Sequence, residues 1–130
     1  MHKNLSASLT WAFDERTLHP YRETNVMRNI VTGNWKSNKL WDEAQNLMAE
    51  VTKAIESSEF TEVMVAPPAP YLAALQSQCT DEVSLASQHC SQNDTGAHTG
   101  EFTASMLSSI GVKAVLIGHS ERRESFGETN

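Results

Sequence analysis

The spacing of apolar positions changes in a repeating order along the chain. Short runs rich in apolar residues predict four strands, at residues 30–34, 63–66, 83–88 and 114–117. Residues 40–55 instead carry apolar residues three and four positions apart, which is typical of one buried helix face. These residues are Leu40, Ala44, Leu47, Met48, Val51 and Ile55. Shorter helices are predicted at 71–75 and 103–110, with Gly111 as a C-cap.

The alternation of strands and helices predicts the α/β class. No hairpin signal joins neighbouring strands, so we expect a parallel sheet with crossover helices. Strands this uniformly apolar are typical of sheets buried on both faces. Pro67 and Pro68 end the second strand, because proline has no backbone N–H to donate. The pattern alone leaves a half-barrel and a doubly wound sheet as open alternatives.

Polar side chains follow the first and the fourth predicted strands. Asn34 and Lys36 leave the first strand two positions apart, so in an extended segment they point to the same side. His119 follows the fourth strand, and Ser120 and Glu121 then begin a helix. Because α/β proteins place their chemistry at the carboxyl ends of strands, these residues are candidates for an active site.

Composition and charge exclude several classes of partner. The 130 residues carry a formal net charge of −6, whereas nucleic-acid binding needs a basic face. No apolar run reaches the roughly 18 residues that a membrane-spanning helix requires. Cys79 and Cys90 lack the close spacing of a metal or redox motif. We therefore expect a cytoplasmic protein that binds no nucleic acid, membrane or metal.

Three motifs resemble the triosephosphate isomerase family. They are GNWKSN at 33–38, GAHTGE at 96–101 and IGHSERR at 117–123. The resemblance covers about 27–130 and implies the N-terminal half of a (β/α)₈ TIM barrel, with strands one to four and their crossover helices. A whole barrel of this type needs about 250 residues. Residues 1–26 are then an atypical N-terminal extension, either without function or a targeting or partner-binding arm.

The resemblance also implies an activity without a cofactor. The family interconverts dihydroxyacetone phosphate and D-glyceraldehyde 3-phosphate through an enediolate, in glycolysis and gluconeogenesis. By resemblance Asn34 and Lys36 bind this phosphorylated triose, and the Lys36 ammonium balances the developing charge. His119 donates a hydrogen bond to the carbonyl oxygen, which a neutral imidazole at a helix N-terminus can do. Glu121 resembles the acidic partner of the lysine.

The resemblance further implies a homodimer for the full-length form. The loop at 96–101 would enter the partner subunit, with Thr99 and Gly100 at the interface and Glu101 pairing with Arg122 across it. His98 stands where the family usually has Phe. Because an imidazole costs more to bury than a phenyl ring, we expect a weaker or pH-sensitive dimer.

By resemblance the general base of the family is a glutamate after the sixth strand, which residues 1–130 do not include. We therefore expect this chain, as a truncated N-terminal half, to be inactive alone. The alternative is a non-enzymatic, self-associating half-barrel remnant, because an open half-barrel exposes sheet edges. A different barrel enzyme acting on phosphosugars is a third interpretation.

Overall fold

Four parallel strands frame the structure, and each pairs with the next one along the chain. The structure is a computed structural model that describes residues 29–55 and 61–129. The strands are β1 (Asn29–Asn34), β2 (Thr61–Ala66), β3 (Val83–Ser87) and β4 (Ala114–Val115). The helices are α1 (Trp41–Ala54), α2 (Leu72–Leu75), α3 (Ala104–Ser109) and α4 (Ser120–Phe126). The curled sheet confirms the predicted half of a (β/α)₈ barrel. The predicted extension at 1–26 lies outside the described residues.

Local sequence explains where the helices begin and end. The Glu43 carboxylate accepts the Leu40 N–H at 2.9 Å at the start of α1. At the start of α3, the Thr103 hydroxyl accepts the Met106 N–H at 3.2 Å. Gly111 follows α3 with φ +83°, the left-handed conformation of a C-cap, as predicted. The predicted helix at 71–75 is α2 with a 3₁₀ turn at each end, Ala69–Tyr71 and Gln76–Gln78.

The main core lies between the outer face of the sheet and the helices. Its buried residues are Met48, Val65, Leu72, Leu75, Val83, Leu85, Leu107 and Val112. Strand side chains alternate between faces, so a second, smaller cluster of Met64, Ala66 and Ala86 lies on the inner face. Within ranges 29–55 and 61–129, no helix has both the length and the apolar character needed to cross a lipid bilayer.

Two details of the predicted strands are wrong. The first strand is not buried, since Ile30 and Val31 are 60% and 57% exposed. The reason is that β1 is an edge strand, which pairs with β2 on one side only among the described residues. The fourth strand ends at Val115 rather than at Ile117, which is exposed. Gly118 follows with φ +71° and turns the chain toward α4.

Two methionines provide a matched test of the core. Met48 is fully buried, whereas Met106 is 49% exposed. We expect Met48→Ala to lower the free energy of unfolding by about 2–5 kcal/mol, because it removes buried methylenes and leaves a cavity. Met106→Ala changes it by less than about 1 kcal/mol. Urea unfolding of both variants measures the difference, and equal effects would contradict this core.

Candidate functional site

The loop after β1 holds Lys36 in an unusual backbone conformation. Lys36 has φ +54°, in the left-handed region that few non-glycine residues adopt. Asn34, the last residue of β1, accepts the Lys36 N–H on its Oδ1 at 2.9 Å. The Trp35 N–H donates to the Ala66 carbonyl at 3.0 Å and extends the pairing with β2. Asn34 therefore fixes the turn from which the Lys36 side chain leaves the sheet.

The turn after β4 places His119 at the N-cap position, directly before α4. His119 is the N-cap, and its Nδ1 accepts the Glu121 N–H at 3.3 Å. A backbone N–H bonds only to a nitrogen lone pair, so Nδ1 carries no proton and Nε2 carries the N–H. The role of His119 as a neutral donor to a carbonyl oxygen stays a prediction.

Gly118 is required directly before His119. Its φ of +71° is unfavourable for any residue with a Cβ. A Cβ at this position would also lie 2.6 Å from the guanidinium of Arg123. The Gly118 carbonyl accepts the Arg123 Nε–H at 3.0 Å, which ties the turn to α4. The turn thus sets the direction in which His119 leaves the strand.

Glu121, which follows β4, is in contact with Lys36, which follows β1. Its Oε1 forms an ion pair with Lys36 Nζ, across 85 residues of sequence. Its Oε2 lies 3.6 Å from His119 Nδ1. Three strand spacings separate β1 from β4, or about 14 Å along a flat sheet. The curl of the sheet and the long lysine side chain close this distance, and they bring three of the predicted residues together.

The ion pair changes the acidity of Glu121. The hydrogen bond from the Lys36 ammonium is the main cause that holds the pKa of Glu121 below its ordinary value. Desolvation opposes the shift, while the charge of Lys36 adds to it, as does that of His119 when its ring is protonated. Because the folded pKa is lowered, the pair stabilises the fold above the ordinary pKa of Glu121. That contribution is lost as the pH falls through the lowered value.

The loop predicted to lie at a dimer interface is exposed in this chain. His98, Thr99, Gly100 and Glu101 are all exposed, and Gly100 has φ +93°. Such a loop is accessible to a second subunit. The contacts of Thr99 and Gly100 with a partner, and the effect of His98 on a dimer, stay predictions.

Glu101 and Arg122 each have a partner within the chain. Glu101 Oε2 lies 3.0 Å from His89 Nε2, and Arg122 Nε donates to Glu128 Oε1 at 2.6 Å. Glu128 Oε1 lies 3.5 Å from His89 Nδ1, so His89 joins the two pairs. Within the chain, Glu101 and Arg122 are therefore linked indirectly, through His89 and Glu128. The direct pair between Glu101 and Arg122 across an interface stays a prediction.

A cavity of about 540 Å³ lies beside these pairs. Its lining includes His89, Cys90, Leu116 and Phe126 but neither Lys36 nor His119. It is therefore separate from the site at the ends of β1 and β4. No three His, Cys, Asp or Glu side chains among the described residues are grouped so that they could hold a metal ion.

Gln88 directly follows β3 and belongs to the site, although no sequence motif pointed to it. Its side-chain Nε2 donates to the Lys36 carbonyl at 2.9 Å and to the Ala66 carbonyl at 2.8 Å. The available signal was its position at a strand end, the rule that pointed to Asn34 and His119. Polar groups from the ends of three strands thus contribute to one site.

Replacing Lys36 tests the ion pair directly. We expect Lys36→Met to raise the pKa of Glu121 toward the ordinary glutamate value of about 4.3, since the ammonium that stabilises the carboxylate is gone. Carbon-detected NMR of the Glu121 carboxyl group across the acid range measures it. Lys39→Met, in the same loop, is the control and leaves the Glu121 titration unchanged. An unchanged titration in Lys36→Met would show that the pair does not form.

Comparisons with known proteins identify one family that this chain is similar to. Residues 29–130 match the family model described as triosephosphate isomerase. The triosephosphate isomerase of Cytophaga hutchinsonii is 44% identical over 107 residues, which cover 81% of this chain and 43% of that protein. That of Halorhodospira halophila is 45% identical over 106 residues, covering 81% of this chain and 41% of the relative. The chain thus spans less than half the length of these relatives.

Proposed function

The chain belongs to the triosephosphate isomerase family, and we propose that it forms the substrate-polarising half of an enzyme that interconverts dihydroxyacetone phosphate and D-glyceraldehyde 3-phosphate. The observation that carries the proposal is the contact of Glu121 with both Lys36 and His119 at the carboxyl ends of β1 and β4. These ends are where barrel enzymes place their active sites. Family membership supports the isomerase reaction, and the geometry supports the roles of the residues.

The reaction moves a proton between two adjacent carbons through an enediolate. In our proposal, His119 donates its Nε2–H to the substrate carbonyl oxygen, where negative charge develops. The Lys36 ammonium stabilises the same charge and binds the anionic substrate, while Asn34 fixes the turn that carries Lys36. Glu121 holds the ammonium in place through their ion pair. No cofactor is required, because a proton is transferred rather than a hydride.

The general base completes the proposal. We assign the removal of the carbon-bound proton to a residue in the part of the relatives that this chain does not span. Residues 29–130 are accordingly inactive alone. A base contributes about 10²- to 10⁴-fold to rate, and phosphate binding and water exclusion are needed besides. We also propose that the complete protein is a cytoplasmic homodimer, with loop 96–101 at its interface.

A chimera tests this function. Residues 29–130 are fused to the remaining C-terminal part of the Cytophaga hutchinsonii relative, and isomerase turnover is measured. We expect activity in the chimera and none in the 130-residue chain. His119→Gln and Lys36→Met in the chimera lower kcat by about 10²- to 10⁴-fold, because each removes stabilisation of the enediolate.

Lys39→Met is the matched control, and it leaves the turnover of the chimera nearly unchanged. A folded chimera that is inactive would contradict the proposed function. So would a chimera whose activity does not depend on His119.

A second candidate function is self-association without catalysis. The exposed edge strand β1 supports it, with Ile30 and Val31 more than half exposed. An edge strand with apolar side chains can pair with another chain. This alternative concerns the chain by itself and needs neither His119 nor Lys36.

The alternative makes its own prediction. We expect the 130-residue chain to form oligomers whose size rises with concentration. Val31→Lys shifts them toward the monomer, because a charge on the edge strand opposes pairing. Leu40→Lys, at a position that is 76% exposed but outside β1, is the control. Sedimentation velocity measures the distribution, and a monomer at all concentrations would exclude self-association.

A further inference from the structure

We propose that Gln88 is a positioning residue for Lys36, acting through the backbone of the loop after β1. The proposal rests on the proposed function only in giving Lys36 a role in the reaction. Gln88 lies 52 positions from Lys36, and its side-chain amide donates to the Lys36 carbonyl at 2.9 Å. Gln88 is thus placed to act on the backbone of the residue that carries the ammonium.

The backbone of Lys36 is held from both sides. Its N–H donates to Asn34 Oδ1, and its carbonyl accepts from Gln88 Nε2. Between these two bonds Lys36 has φ +54°. A non-glycine residue keeps this unfavourable conformation only where its surroundings fix it. Asn34 is local to the turn, whereas Gln88 links the carbonyl of Lys36 to the neighbouring strands of the sheet.

Gln88 is itself anchored to the end of β2. The same Nε2 donates to the Ala66 carbonyl at 2.8 Å, and that carbonyl also accepts the Trp35 N–H. Both neighbours of the amide nitrogen are carbonyl oxygens, so only a donor group suits the position. Gln88 is half-buried, which limits replacement of these bonds by water. Its amide therefore ties the Lys36 loop to the rigid sheet.

The consequence is a defined position for the ammonium. Without Gln88, the Lys36 peptide is free to turn toward an ordinary φ, which carries Nζ away from Glu121. Small misplacements of a charged group lower its contribution to a reaction. Gln88 therefore acts on the site through Lys36 and does not itself touch the substrate.

The test is the titration of Glu121 in the 130-residue chain. Gln88→Met keeps the length of the side chain and removes both donors. We expect the pKa of Glu121 to rise in Gln88→Met, in the direction expected for Lys36→Met, because the ammonium is no longer held in place. Gln92→Met, at an exposed glutamine of the same loop, leaves the titration unchanged. Urea unfolding shows whether each variant is folded. If Gln88→Met does not fold, Gln88→Asn, which keeps the amide but shortens its reach, replaces it.

The proposal is overturned if Glu121 titrates in the folded Gln88 variant just as it does in the unchanged chain. In the chimera, Gln88→Met is expected to lower kcat by about 10- to 100-fold. An inactive chimera would contradict the proposed isomerase function and leave the Glu121 titration to decide the role of Gln88. An active chimera whose kcat is unchanged by Gln88→Met would overturn the positioning role alone.

Discussion

Parallel pairing of the strands is the constraint on which the candidate site depends. Because β1 to β4 all run in the same direction, their carboxyl ends meet at one edge of the sheet. That edge receives Asn34 and Lys36 from β1, Gln88 from β3 and His119 after β4. An antiparallel partner at any position would send its polar end to the opposite edge. The curl of the sheet then shortens the distance between the outer strands until Lys36 reaches Glu121.

The two ends of this site are built alike. Each presents a charged or titratable side chain from a turn with a left-handed residue, Lys36 at φ +54° and Gly118 at φ +71°. Because Gly118 has no Cβ, this conformation costs it little conformational free energy. At Lys36 the conformation is accompanied by hydrogen bonds of its N–H with Asn34 and of its carbonyl with Gln88. The backbone conformations of these two turns therefore set the positions of Lys36 and His119. The Lys36–Glu121 ion pair then joins the two turns.

Much of the fold was predictable because it depends on local spacing. The apolar stripe of residues 40–55 predicted α1 to within one residue at each end, and strand ends indicated where Asn34 and His119 lie. The exposure of Ile30 was not predictable, because it depends on which strands pair beside β1. The role of Gln88 was also hidden, since its partner is 52 positions away and an amide carries no distinctive spacing.

The central claim is that the ends of β1 and β4 form one site. Zero-length carbodiimide cross-linking tests it most directly, because this reagent joins an ammonium and a carboxylate only when they are in contact. Mass spectrometry of the digested chain then identifies the joined peptides. The account predicts a major cross-link between Lys36 and Glu121, which is absent in Lys36→Met and in Glu121→Gln. Cross-links of Lys36 to other carboxylates but not to Glu121, in the folded chain, would contradict it.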